Sequence, residues 1–139
     1  MTGTRPLHKA DLFKIKDCLV EQDQHLSYEM AEYAENSGMS FTYLKDDKPV
    51  GCCGAGLIEG VYNLWAVYSV KFSAMTRARA AIAFGKKFRS ISNGVSALFS
   101  IASNLRNGAK YAEFIGGTYK RTVQHDTMPG ITNDIYEVA

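Results

Sequence analysis

What this sequence lacks narrows its reading first. Only three cysteines occur in 139 residues: Cys18, Cys52 and Cys53, an odd count without a C-x-x-C spacing. That pattern suggests neither a disulfide framework nor a zinc site, and no metal is expected. Cys52 and Cys53 are neighbours on a predicted strand and point to opposite faces, which argues against a bridge between them. Reduced thiols in a cytosol follow. The first six residues lack an apolar signal segment, and no run nears the roughly 18 apolar residues of a membrane span. A cytoplasmic protein with no membrane partner is the expectation. Charge of one sign is scarce too. The formal net charge is +2, with no long basic run, which argues against nucleic acid as a partner.

What is present is ordinary for a globular chain: 46% hydrophobic and 22% charged residues. The length fits one domain over residues 1–139, able to bury roughly two-thirds of its unfolded surface. Leu12, Ile15 and Val20 predict a helix over 9–20, with Asp11 near its start. Ser27 as N-cap and Ser37-Gly38 as stop bound a second helix ending at Asn36. The period then falls to two. Strands are predicted at 41–44, 50–58 and 61–70, joined by turns at 46–49 and 59–60, which makes an antiparallel meander. Residues 73–89 predict a long helix with Met75, Ala78, Ile82, Gly85 and Phe88 on one face. A strand at 95–101, a helix from Asn104 to Ile115 stopped by Gly116-Gly117, and strands at 118–123 and 135–138 complete the order. Such an order gives an α+β sheet with helices on both faces.

Several residues then take on meaning together. An Asn after a strand (Asn104), an aromatic one turn before the helix ends, and then glycine resemble the C-terminal signature of GNAT-type acetyltransferases. Arg5-Pro6 followed by Asp11-Leu12 resembles that superfamily's opening strand and helix start. More narrowly, the sequence is similar to compact GNAT-like proteins of short-tailed bacteriophages, one branch of which is an internal virion protein. Thr42-Tyr43-Leu44 with its turn to Pro49, Gly51 to Gly56, Trp65 to Ser69, and Ile115-Gly116 carry that second likeness.

The resemblance implies a three-layer α+β fold whose mixed central sheet is splayed in the middle, with helices on both faces. It implies acetyl-coenzyme A as cofactor and an amine, on a small molecule or a protein, as acceptor. Backbone at Ala66, Val67, Tyr68 and Ser69 would grip the pantetheine arm as an added strand does and polarise the thioester carbonyl. An ordinary central strand is the alternative. Asn104 would line the cofactor cleft. The family's pyrophosphate loop, Arg/Gln-x-x-Gly-x-Gly/Ala, is replaced by residues 72–79, which contain no glycine. Arg77 and Arg79 near the helix start would compensate, or else are simply solvated. Tyr111 would protonate the departing thiolate, although the family's tyrosine sits four residues before the glycine, where this chain has Ala112. One residue turns a helical side chain by about 100°. A packing tyrosine is the alternative.

No general base stands out. Glu59 and Glu113 read as surface carboxylates, His125-Asp126 as a pair on a loop, and His8 and His25 have no partner in sequence. Cys53 lacks the base and lowered pKa of a nucleophile. Three functions are carried forward: an acyltransferase; a GNAT-shaped protein without catalysis, meeting phage or host proteins in assembly; and a module using Arg77, Arg79, Lys86, Lys87 and Arg89 on an acidic partner or nucleic acid. A C-terminal edge strand would permit a homodimer.

Overall fold

The computed structural model describes residues 1–15, 28–36, 39–58, 60–102, 108–125 and 129–138. Cys18, His25, Ser27, Ser37-Gly38, Glu59, Asn104 and Asp126 lie outside them.

Seven strands form one mixed sheet in the order β1-β2-β3-β4-β5-β7-β6. They are β1 (Gly3–Pro6), β2 (Ser40–Lys45), β3 (Lys48–Ile58), β4 (Val61–Tyr68), β5 (Ala97–Ala102), β6 (Thr118–Gln124) and β7 (Thr132–Val138). The helices are α1 (Lys9–Ile15), α2 (Tyr28–Asn36), α3 (Ala74–Ile91) and α4 (Gly108–Ile115). All ladders are antiparallel except β4 with β5. The C-terminal strand β7 is interior, and the exposed edge on that side is β6, all seven of whose residues face solvent.

The first meander turn is tighter than its composition predicts. Asp46 and Asp47 both take positive φ, 50° and 65°, as the two central residues of a type I′ hairpin must. Lys48 and Pro49 therefore already belong to β3. Two of its glycines have a packing cause: a Cβ on Gly51 would lie 2.7 Å from the Val67 carbonyl oxygen, and one on Gly54 2.6 Å from the Trp65 indole on the facing strand. The indole covers β3 only because the Gly54 Cβ is missing.

Helices cover both faces. On one, Leu12 and Ile15 of α1 and Ala31 and Ala34 of α2 pack on Cys52 and Val67. On the other, Ala80 and Phe84 of α3 meet Phe41, Val50 and Cys53, while Phe88 joins Phe99, Ala112 and Ile115. Cys52 and Cys53 thus fall in opposite cores and remain free thiols. The predicted face of α3 needs correcting. Met75 and Ile82 are exposed, and the buried residues are Thr76, Ala80, Ala81, Phe84, Gly85 and Phe88.

One partly buried ion pair fixes the opening of the chain. Arg5 donates twice to Asp11, each bond 2.7 Å, and Asp11 also accepts from the His8 N–H and the Thr42 hydroxyl. Burial alone would raise the Asp11 carboxyl. The Arg5, His8 and Thr42 donors outweigh it and hold the group below its usual range.

Helix α4 ends in a Schellman motif: Gly117 N–H bonds the Ala112 carbonyl and Gly116 N–H that of Glu113, with Gly116 at φ +94°. Arg89 of α3 adds a bond of 3.0 Å to the Ile115 carbonyl. Its charge lies where the helix dipole is negative.

Candidate functional site

Strands β4 and β5 pair only at Tyr62 with Ala97 and Asn63 with Leu98. Beyond that the sheet splays, and the two strands run apart. The phase of the β3–β4 ladder decides which backbone groups this opens. Ser69 N–H donates to the Val50 carbonyl at 2.8 Å, and bonding sides alternate along a strand. Val67 and Ser69 therefore turn their N–H and C=O groups to β3. Those of Ala66 and Tyr68 face the gap, where β5 no longer pairs with them. Of the four residues expected to grip a ligand by backbone, two present groups to it.

The gap opens on a cavity of about 370 Å³. Leu64, Ala66 and Tyr68 line it from β4, Phe99 to Ala102 from β5, Tyr111 from α4, and Arg77 with Phe84 and Phe88 from α3. Its walls are mostly apolar. No Asp, Glu or His lines it among the described residues.

Two polar atoms in this wall are buried without a hydrogen-bond partner, the Tyr68 hydroxyl and Arg77 Nε. Such orphans are rare in folded proteins, where a missing partner is commonly a water, an ion or a ligand. Burial, with Cys53 and Tyr111 beside it, pushes the Tyr68 phenol well above its ordinary value. It therefore keeps its proton and is a donor at any working pH. Arg77 extends the sheet-facing stripe of α3, one turn before Ala80 and Ala81. Its side chain lines the cavity, whereas Arg79 is exposed beside Met75.

Ala112 is fully buried in the core, and Tyr111 faces the cavity, its ring stacked on Tyr68. On α4 Ala109 is exposed and the buried residues are Gly108, Ala112 and Ile115.

The other candidates disperse. Burial raises the Cys53 thiol well above its ordinary value and Cys52 to about 12, so neither is a ready nucleophile. Glu113 and His8 are exposed. The basic residues of α3 form no single face: Arg77 lines the cavity, Arg89 caps α4, and Lys87 lies 5.2 Å over the Phe41 ring. No group of three His, Cys, Asp or Glu placed to hold a metal occurs among the described residues. None of the described helices is long and apolar enough to cross a membrane.

No family model matches this sequence, and no curated protein does either. Solved structures do match, along nearly all of the chain. A GNAT-family acetyltransferase from Bacillus cereus superposes with a TM-score of 0.72 at 13% identity, over 99% of this chain and 96% of that one. The ribosomal-protein-S18-alanine N-acetyltransferase of Escherichia coli gives 0.71 at 10% identity, over 99% and 93%. A Salmonella typhimurium protein, yncA, solved with its cofactor acetyl-CoA, gives 0.73 at 12% identity, over 98% and 92%. The fold is thus that of GNAT acetyltransferases, and the splayed sheet expected from sequence is present. At these identities the likeness is one of fold. The bacteriophage likeness rests on the sequence motifs alone.

Whether acetyl-coenzyme A suits the residues present has a divided answer. The arm fits: an unpaired strand edge at Ala66 and Tyr68 borders an apolar cavity with unpartnered donors in its wall. The pyrophosphate end does not. Among the described residues positive φ occurs at Asp46, Asp47, Asn93 and five glycines, and none of these lies between Ser69 and Thr76. Amides there cannot converge on an anion as they do in a glycine-rich loop.

Proposed function

We propose that this protein is a GNAT-type acyltransferase, passing an acetyl group from acetyl-coenzyme A to an amine by direct attack. One observation carries the reading: β4 and β5 part after Asn63 and leave strand edge facing a cavity. When bound, the coenzyme supplies an activated acyl thioester. Backbone at Ala66 and Tyr68 holds the arm as an added strand. Their N–H groups are fixed donors for charge developing on a carbonyl oxygen, and need no reorganisation as it forms. Tyr111 holds a proton at its hydroxyl for the departing sulfur. Its ring is kept in place by Tyr68 and by Phe114, whose ring meets it edge-on at 6.5 Å. The apolar wall strengthens each of these interactions by excluding water. No carboxylate or histidine lines the described wall. The amine reacts as its neutral form, and the Tyr111 oxygen, having given its proton to the sulfur, takes up the proton the amine sheds as the amide forms.

Thermal unfolding tests this reading. Acetyl-coenzyme A at about 100 times its dissociation constant adds roughly 2.7 kcal/mol to a protein that binds it only when folded. A clear upward shift is expected. An unmoved transition at millimolar ligand removes the enzyme.

A second reading has one observation in its favour. The loop before α3 lacks the glycines of a pyrophosphate site and is closed by internal hydrogen bonds. A GNAT-shaped protein that has given up catalysis, serving a phage virion or meeting host proteins, would show the same loop. Copurification with a phage particle, together with no ligand-induced shift, selects it.

A further inference from the structure

Two serines close the β4–α3 loop from within. Ser69 Oγ accepts the Lys71 N–H at 3.3 Å, and the Ser69 carbonyl accepts the Phe72 N–H at 3.4 Å. Ser73 Oγ accepts the Thr76 N–H at 3.2 Å and lies 3.0 Å from the Thr76 hydroxyl. The Ser73 carbonyl takes the Arg77 N–H. Ser73 thus places a neutral oxygen over the helix N-terminus, where a bound anion would otherwise sit. The amides of Ala74 and Met75 lack an intrahelical partner, as at the start of any helix.

Around the loop the exposed cations are Lys71 and Arg79, and the remaining surface offers a diphosphate little. Val70 and Met75 stand 51% and 66% exposed beside the loop, giving this rim an apolar character. Arg79 rests against Met75 Sδ at 3.7 Å, and Arg77 runs inward to the cavity. By contrast the inner part of the site is well furnished among the described residues. It has an open strand edge, an apolar cavity, and two buried polar atoms awaiting partners.

We infer that this protein recognises its donor through the acylated pantetheine arm, and that the nucleotide end adds little to binding. The substrate class is then acyl-pantetheine thioesters in general, of which acetyl-coenzyme A is one member. This rests on the acyltransferase reading above and says which part of the donor that reading needs.

Titrating the intact protein with S-acetylpantetheine and, separately, with acetyl-coenzyme A tests it. Trp65, the chain's single tryptophan, lines the cavity and reports binding by its fluorescence, with thermal unfolding as a second readout. The dissociation constants are expected to agree within about fivefold. Acetyl-coenzyme A binding tighter than that margin overturns the inference and leaves the acyltransferase reading standing. Failure of both ligands to bind at millimolar concentration overturns the two together.

Discussion

The rings of Tyr68 and Tyr111 stack at 5.4 Å between centroids with 21° between their planes. One belongs to the strand edge that faces the gap and the other to the helix that walls it. Their contact ties the backbone to be offered to a ligand to the hydroxyl proposed to protonate it. Substituting either residue separates these roles.

Tyr111→Phe keeps the stacked ring and removes the proton donor. Transfer to an amine acceptor is expected to fall about 100-fold or more, with the melting temperature nearly unchanged. Steady-state rates with acetyl-coenzyme A check this, and a variant as active as the parent assigns Tyr111 to packing.

Tyr68→Phe removes a buried hydroxyl that has no partner. Losing an unsatisfied group is expected to stabilise the free protein, by about 1 kcal/mol. Chemical denaturation measures it, and a clear loss of stability would mean that the hydroxyl has a partner in solution.

The Arg5–Asp11 pair sets the acid limit. The folded-state pKa of Asp11 lies below its unfolded value of about 3.9. Its contribution to stability is therefore full above that value and is lost as pH falls through the lowered folded one. Asp11→Asn removes the charged acceptor of a partly exposed Arg5, and should cost about 1–3 kcal/mol at neutral pH. Stability of the variant should also vary less below pH 4. Denaturation curves across that range decide, and identical acid slopes for parent and variant would contradict the assignment.

Helix α4 is seated by a close approach. A Cβ at Gly85 would stand 2.0 Å from the Ile115 carbonyl oxygen, a backbone atom that cannot swing aside. Gly85→Ala should therefore cost about 1–3 kcal/mol and move α4, and Tyr111 with it. Arg89→Ala, which loses only the bond to Ile115, should cost about 1 kcal/mol. Equal losses from the two variants would argue against the tight contact.

Much of this architecture was legible in the sequence, for reasons that differ by element. A period near two and turn residues at 46–49 and 59–60 placed the meander. The start of β3 was hidden because the hairpin turn is Asp46-Asp47 rather than an Asn-Gly pair. On α3, alanines at several phases blurred which stripe meets the sheet, and Met75 and Ile82 looked like core while facing water. Arg77 was legible as a cation near a helix start, but its direction was not, since only the packed helix sets it. Tyr111 and Ala112 differ by one residue, and the buried position of Ala112 decides that Tyr111 faces the cavity. The serine caps were the most hidden feature. Ser69 and Ser73 acquire their partners only once the loop is folded, although Ser73 followed by Thr76 at the third position is the kind of spacing that caps a helix.

Residue-resolved amide exchange of the free and acetyl-coenzyme A-saturated protein puts the gap itself to the test. Slower exchange is predicted at Ala66 and Tyr68, whose N–H groups face the ligand, with little change at Val67 and Ser69, already bonded to β3. Exchange at Ala66 and Tyr68 that ignores saturating ligand, or slows no more than at Val67 and Ser69, would contradict it.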